Sequence, residues 1–243
     1  MRYLFLFSFI VLAHISFAQE QSKFTIPDYK NIEKVTRDKG SPYYYPGLMA
    51  RYKKNDTTLT NAEIHMLYYG TFFNDDEAGS TSNFEYRDSI KAIHKRGKAS
   101  DKDKKDLIGY YIKSLDSAPF ELRTLNALYN LYSDFNDPAA RYYGYKMKAI
   151  INVIIATGDG GSTKSGFHVN SVSDEYTMLS VFGFDFGDSQ SLRDQCDYLE
   201  VKANDHDVAG VYFNVEQILA GYSKAINPDD LKKFIEETEK DKK

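Results

Sequence analysis

The residues with the clearest chemical potential lie in one short stretch, at His168, Ser173, Asp174 and Glu175. An imidazole, a hydroxyl and a carboxylate are the parts of a Ser-His-Asp hydrolase, in which the histidine takes the serine proton. The G-x-S-x-G turn of the α/β-hydrolases is missing, and a serine before two acidic residues is also ordinary helix-cap chemistry, with Ser173 as the cap. A small hydrolase or ligand-binding enzyme that uses His168, Asp174 and Glu175 is therefore the alternative hypothesis.

A glycine-rich stretch, ATGDGGSTKSG at residues 156–166, is the second candidate for chemistry. A phosphate-binding P-loop has glycine before its lysine and opens a helix, whereas Thr163 precedes Lys164 and a long apolar helix leads into this loop. A calcium loop needs several oxygen ligands, and Asp159 is the only carboxylate in the stretch. We predict that Gly158 ends the helix in the left-handed conformation. We then expect residues 158–166 to form a connecting loop that is partly ordered and partly mobile and that binds no phosphate or cation.

Other reactive side chains are few and scattered. No two of the histidines after residue 18 have the three- or four-residue spacing of a metal pair on a helix; they are His65, His94, His168 and His206. Cys196 is the only cysteine, so it has no partner for an intramolecular disulfide. The sequence thus predicts no metal site, no cofactor and no catalytic residue beyond the alternative above.

Residues 1–18 have the pattern of a cleaved secretory signal. A basic start, MR, precedes the apolar run YLFLFSFIVLA and the small residues of SFA. This run is too short to cross a bilayer core of about 30 Å as a helix. No cysteine near residue 18 is available to carry a lipid. We expect an exported soluble protein, periplasmic or secreted, with no membrane anchor after cleavage.

Residues 19–157 have the period of amphipathic helices. Thr60 and Glu63 have the spacing of a capping box, and Pro119 separates two helices. Pro138 is placed in the first turn of a third helix, where its missing amide costs nothing. The pair Gly-Tyr at 109–110 returns at 144–145, an offset of 35 residues that approximates the tetratricopeptide period. Degenerate tetratricopeptide-like repeats and helical hairpins both fit this pattern.

The pattern changes after Gly166. FHVNSV alternates apolar and polar residues as a strand does, and SDEYTMLSVFG then indicates a short helix. CDYLEVKAN and GVYFNVEQI alternate again around a polar turn, which predicts a β-hairpin. The predicted fold class is α+β, with helical hairpins followed by a small antiparallel sheet of about three strands and a short helix. This α+β unit covers residues 158–226, and 227–243 form a charged C-terminal helix or tail.

Three segments also carry a family resemblance: YYYPGLMARYKKNDTTLTNAEIHMLYYGTFF, IIATGDGGSTKSGFHVNSVSDEYTMLSVFGF and CDYLEVKANDHDVAGVYFNV. They resemble a family of secreted proteins from Bacteroides-type bacteria that is classified as a domain of unknown function, number forty-nine nineteen. The resemblance spans nearly the whole chain after the signal. It implies a compact exported domain with tetratricopeptide-like helices, and it implies no activity, cofactor or site residue.

The net charge and the tyrosine content indicate which kinds of partner the protein could bind. The formal net charge of −4 gives no electrostatic footprint for nucleic acid, so no nucleic-acid partner is expected. The chain has 20 tyrosines and no tryptophan, and tyrosine suits interfaces because it buries a ring while its hydroxyl stays hydrogen-bonded. We expect an exported binding or interaction protein of the bacterial envelope, more a binder than an enzyme. Its partner would be a protein or peptide on the tyrosine-rich helical surface.

Overall fold

The computed structural model describes residues 24–74 and 84–225. The signal predicted at 1–18 and the tail predicted at 227–243 lie outside these residues. Within them, the chain is α+β with its helices first, as predicted. Seven helices precede the sheet: α1 Tyr29–Arg37, α2 Tyr45–Lys53, α3 Asn61–Asn74, α4 Phe84–Lys95, α5 Asp101–Ser117, α6 Leu122–Asp134 and α7 Ala140–Ile155.

Side-chain caps fix several of these helix starts. The predicted capping box is present before α3, where Thr60 Oγ1 accepts from the Glu63 amide and Glu63 Oε2 accepts from the Thr60 amide. Ser100 and Asp103 form a second box before α5. Pro119 does separate α5 from α6, but Pro138 precedes α7 instead of lying in its first turn. Helices α5, α6 and α7 pack in sequence as neighbours, α6 against both others.

The sheet has four strands in the described part of the chain, in the order β1-β4-β3-β2. They are β1 Phe167–His168, β2 Phe186–Arg193, β3 Cys196–Val201 and β4 Gly210–Asn214, with helix α8 Val172–Val181 after β1 and α9 Glu216–Ala225 after β4. The predicted hairpin is confirmed, because β3 pairs antiparallel with β4. Two details of the predicted sheet are wrong: β2 is an additional strand, and β1 runs parallel to β4.

Local chemistry explains why β1 is short and why β2 was not predicted. FHVNSV predicted a longer strand, but Ser171 caps α8 by accepting from the Asp174 amide, so the helix begins at Val172 and β1 is short. Ser171 is thus the cap in place of the predicted Ser173. Strand β2 is polar and edge-located, and a register shift between Phe186 and Gln190 breaks the alternation that reveals a strand.

The glycine-rich loop is built differently from the prediction. Helix α7 ends at Ile155 without a left-handed Gly158, and the positive φ of +69° belongs to Gly160. Gly158 is required for another reason: a Cβ there would lie 2.2 Å from the carbonyl oxygen of Ser165. The amides of Asp159 and Gly160 both donate to that oxygen, and Gly160 O accepts from the Tyr212 amide of β4. The loop is therefore an ordered element fastened to the sheet.

One buried apolar cluster runs through the helices and the sheet, from Ile32 in α1 through Leu67, Leu125 and Ile150 to Phe213 in β4. Helix α8 contributes Met178 and Leu179 to the same cluster. None of the helices in the described ranges combines the length and apolar character that a membrane span requires.

Candidate functional site

His168 lies in a buried polar network beneath the helices. The residue is 8% exposed, and its Nδ1 is 3.0 Å from the hydroxyl of Tyr29 on α1. Its backbone is fixed on both sides, since its amide donates to Thr157 Oγ1 and its carbonyl accepts from the Tyr69 hydroxyl. Burial lowers the pKa of His168 to about 4, with a smaller contribution from nearby His65. Burial also raises the pKa of Tyr29, so this pair is neutral at physiological pH.

Asp174 lies in the first turn of α8 and is 2% exposed. Its Oδ2 accepts from the Tyr68 hydroxyl at 2.9 Å, and the same hydroxyl accepts from the amide of Asn170. Burial raises the pKa of Asp174 to about 7, although the bond from Tyr68 and the amide of Leu122 favour the ionised form. Asp174 therefore joins α8 to α3 and to the start of α6.

Glu175 is fully buried, and neither of its carboxyl oxygens has a hydrogen bond of regular geometry within the described residues. The side chain that faces it is Asp197 on β3. Burial first, and then the negative charge of Asp197 and the hydrogen bond between the two carboxyl groups, raise the pKa of Glu175 to about 9. Asp197 in turn accepts from Gln190 Nε2 at 2.8 Å, and Gln190 Oε1 accepts from the Tyr176 hydroxyl at 2.6 Å.

The three residues of the alternative hypothesis thus have three different partners. His168 contacts Tyr29, Asp174 contacts Tyr68, and Glu175 faces Asp197. Across the described ranges, no hydrogen bond joins His168 to either carboxyl group. Sequence reasoning missed these partners because they are distant: Tyr29 is 139 residues from His168, and Tyr68 is 106 from Asp174. The only available signal was the tyrosine content itself.

A cleft of about 470 Å³ opens between the N-terminal segment, α1, α3 and α7. Its lining combines apolar side chains with amides, a carboxylate and an imidazole: Thr25, Ile26, Asp28, Asn31, Ile32, Asn61, Ala62, His65, Met66, Asn152, Val153 and Ala156. A hydrogen bond from the Thr25 amide to Ala156 O holds the segment before α1 against the end of α7. The volume is within the usual range for ligand sites, about 300–1,000 Å³.

Three carboxamides of the cleft come from three different helices: Asn31 from α1, Asn61 from α3 and Asn152 from α7. None of these side chains makes a hydrogen bond with a described residue. Their donors and acceptors are therefore free for a ligand or for water.

Few charged side chains line the cleft. Burial lowers the pKa of His65, whose ring packs on Tyr69 at 4.9 Å, so the imidazole is neutral at pH 7. No lysine or arginine is part of the lining, and Asp28 is its only acid. The Asp28 carboxylate caps α1 and already accepts a hydrogen bond from the backbone N–H of Asn31. The cleft thus suits an uncharged polar ligand better than a phosphate or a carboxylate.

The described ranges contain no group of three or more histidine, cysteine, aspartate or glutamate side chains placed to hold a metal ion. In comparison with known proteins, a family described as "Domain of unknown function (DUF4919)" matches residues 30–224. No curated protein and no solved structure matches the chain.

Proposed function

The chain belongs to the DUF4919 family, and we propose that it is an exported binding protein that holds a peptide segment in the cleft between α1, α3 and α7. The observation that carries the proposal is that Asn31, Asn61 and Asn152 line one cleft and that their side chains make no hydrogen bond with a described residue. Export rests on the signal-like residues 1–18, and the lack of a nearby cysteine supports release without a lipid anchor.

The chemistry of a peptide matches this lining. Each carboxamide offers donors and an acceptor, so it can pair with the C=O and N–H of one peptide unit. Ile32, Met66 and Val153 supply apolar surface between the amides, and Ile26 at the rim is 50% exposed. Such a surface accommodates apolar side chains. The lining contains no lysine or arginine, which disfavours anionic ligands.

Selection from a phage-displayed library of random peptides, followed by calorimetric titration of the enriched sequence, tests the proposal. We expect Asn61→Ala combined with Asn152→Ala to weaken binding at least tenfold, because bound peptide amides would lose their partners. Asn130→Ala is the matched control, since Asn130 is an exposed carboxamide on α6, outside the cleft, whose side chain donates a hydrogen bond to Asn126.

Two results would contradict peptide binding at the cleft. One is that no sequence is enriched while a panel of oligosaccharides binds, which would assign the cleft to carbohydrate. The other is equal affinity of the enriched peptide for the wild type and for the double variant.

The alternative hypothesis of a small hydrolase or ligand-binding enzyme keeps one supporting observation: His168, Asp174 and Glu175 all have strongly shifted pKa values, as catalytic groups often do. The burial of these three side chains weakens the enzyme hypothesis, because a substrate must reach the reacting atoms. Assays with ester, peptide and glycoside substrates decide the point. Turnover that His168→Asn abolishes would replace the binding proposal with this one.

A further inference from the structure

We propose that His65 makes peptide binding at the cleft sensitive to acid: the cleft holds its peptide beside a neutral imidazole at pH 7 and releases it as the pH falls towards 5. This inference rests on the proposed function, because it concerns the regulation of the same cleft. Release then follows the acidity of the surroundings and needs no second ligand.

The first observation is the position of His65 on the wall of the cleft. It lines the cleft together with Asn61 and Met66 of the same helix, α3, so a bound peptide covers its ring. The side chain is half-buried before any ligand is present. Covering the ring removes more of its water, which disfavours the charged imidazolium. Peptide and proton therefore compete at His65.

The second observation is the rigid interior behind His65. Its ring packs edge-on against the ring of Tyr69, with centroids 4.9 Å apart. Tyr69 is fully buried, and its hydroxyl donates to the carbonyl of His168 at 3.0 Å. A protonated His65 therefore cannot regain its hydration by moving inwards. It regains water by turning towards the open cleft, where it occupies space that the peptide needs.

The third observation is that uncharged groups and a second imidazole surround His65. Tyr69 lies on its own helix, Tyr29 of α1 packs on Tyr69, and His168 of β1 lies close enough for a charge on His65 to lower its pKa. Helix α7 contributes Asn152, Val153 and Ala156 to the cleft, none of which titrates. An imidazolium at this position thus has no partner of opposite charge on the elements that pack against it.

Three carboxyl groups lie in the wider neighbourhood. Asp28 belongs to the cleft lining, Glu216 of α9 acts on Tyr29, and Asp174 of α8 acts on Tyr69. Burial is nevertheless the one cause that shifts the pKa of His65, and it lowers this pKa. None of the three acids therefore stabilises the protonated ring.

The direction of the pKa shifts sets the pH range. The pKa of His65 lies below the usual 6.5 in the free protein and falls further under a bound peptide. Affinity is then full above pH 6.5, and it drops by up to about tenfold per pH unit below the pKa of the free protein. The pKa of His168 is about 4, so this ring stays neutral at pH 5 and His65 is the one that responds.

Calorimetric titration at pH 7.5, 6.0 and 5.0 tests the acid response. The probe is a peptide selected at pH 7.5 that contains no histidine, aspartate or glutamate and has blocked ends, so its own charge is constant. We expect the wild type to lose about fivefold or more in affinity between pH 7.5 and 5.0. Binding near pH 5.5, measured in two buffers of different ionisation enthalpy, should release a fraction of one proton.

His65→Gln keeps a polar side chain that does not gain a charge, so it should bind equally at pH 7.5 and 5.0. His94→Gln is the matched control, because His94 is an exposed histidine on α4, outside the cleft, whose ring contacts the Tyr111 hydroxyl. This control should keep the response of the wild type. The imidazole resonances of the wild type give a second measure, since saturating peptide should lower the pKa of His65.

The outcomes separate this inference from the proposed function. Equal affinity of the wild type at pH 7.5 and 5.0 would overturn the acid response and leave peptide binding in place. The same pH dependence in His65→Gln as in the wild type would assign the response to another group and overturn it too. If His65→Gln binds no peptide at any pH, an unchanged pKa of the wild-type His65 on peptide binding would overturn it. A wild type that binds no peptide at pH 7.5 would remove both proposals.

Discussion

At the scale of single residues, burial decides the charge of the most suggestive side chains. The pKa of His168 falls to about 4, and those of Asp174 and Glu175 rise to about 7 and about 9. In each case desolvation is the largest cause, and the shift favours the neutral form. Such shifts are common at active sites, but here each residue also has a structural role between two elements. The same numbers therefore predict how stability responds to pH.

Glu175 should make the fold less stable as the pH rises. Its pKa is about 9 in the fold against a usual 4.5, so between these values the folded state holds a proton that the unfolded state has lost. Stability is full below pH 4.5 and falls by about 1.4 kcal/mol per pH unit from this group alone until pH 9. We expect Glu175→Gln to remove this slope in urea unfolding.

The comparison is best made between pH 7.5 and 8.5, because Asp174, with a pKa of about 7, contributes little slope there. Asp205→Asn is the control, because Asp205 is an exposed acid in the β3–β4 connection, and it should keep the wild-type slope. A Glu175→Gln variant whose stability falls with pH as steeply as the wild type would show that Glu175 is ionised in the fold.

Tyr68 should be among the most sensitive tyrosines, because its buried hydroxyl donates to Asp174 and accepts from the Asn170 amide. Tyr68→Phe leaves Asp174 Oδ2 and the Asn170 backbone amide without this partner, at about 1–3 kcal/mol each. We expect the free energy of unfolding to fall by about 2–4 kcal/mol in urea titrations. Tyr129→Phe is the control, since Tyr129 is 38% exposed and should change stability little. Similar losses in both variants would contradict this role of the Tyr68 hydroxyl.

At the scale of elements, patterns between residues close in sequence predicted which helices and strands form, but they did not predict the residue at which each one begins. The capping box of Thr60 and Glu63 and the β3–β4 hairpin follow from spacing and alternation alone. The start of α8 was misplaced because two serines precede its acidic residues, and sequence alone does not show which one is extended. Ser171 is, with φ −149° and ψ 151°, so its hydroxyl reaches the Asp174 amide.

A pair of serine variants separates the two possible caps of α8. Ser171→Ala removes the bond to the Asp174 amide and should cost about 1 kcal/mol of stability. Ser173→Ala removes a buried hydroxyl that has no partner among the described residues, so it should be neutral or stabilising. Urea unfolding of the two variants measures the difference. The reverse order would restore Ser173 as the cap.

The glycine-rich loop permits a similar comparison. A Cβ on Gly158 would meet Ser165 O at 2.2 Å, while one on Gly161 would meet only the flexible Asp159 carboxylate at 3.3 Å. We expect Gly158→Ala to destabilise by about 2 kcal/mol or more, as forced overpacking does, and Gly161→Ala to have little effect. Melting temperatures of both variants provide the measurement. A tolerated Gly158→Ala would mean that residues 158–166 are free to move away from the sheet.

At the scale of the whole molecule, the sequence predicted the α+β class and the order of helices before strands, since these depend on local periodicity. It did not predict what joins them. The bonds from Tyr68 to Asp174, from Tyr69 to His168 and from Tyr29 to His168 connect residues that are 106, 99 and 139 positions apart. No periodicity encodes such pairs, and in a chain so rich in tyrosine no single one stands out. The carboxamide cleft escaped prediction for the same reason, because its members lie on three separate helices.

These links and the shared core lead to the last prediction, that the helices and the sheet unfold together. Leu125 in α6 and Phe213 in β4 are both fully buried in the same apolar cluster. Leu125→Ala should lower stability by about 2–5 kcal/mol, and Phe213→Leu should also destabilise because it leaves a cavity. Each should shift one common transition, seen alike by far-ultraviolet circular dichroism of the helices and by the near-ultraviolet signal of the tyrosines. The calorimetric and van't Hoff enthalpies should agree.

Leu192→Ala is the control, because Leu192 is 55% exposed on β2 and should barely move the transition. Two resolved transitions, one displaced only by Leu125→Ala and the other only by Phe213→Leu, would show instead that the helical region and the sheet are independent units.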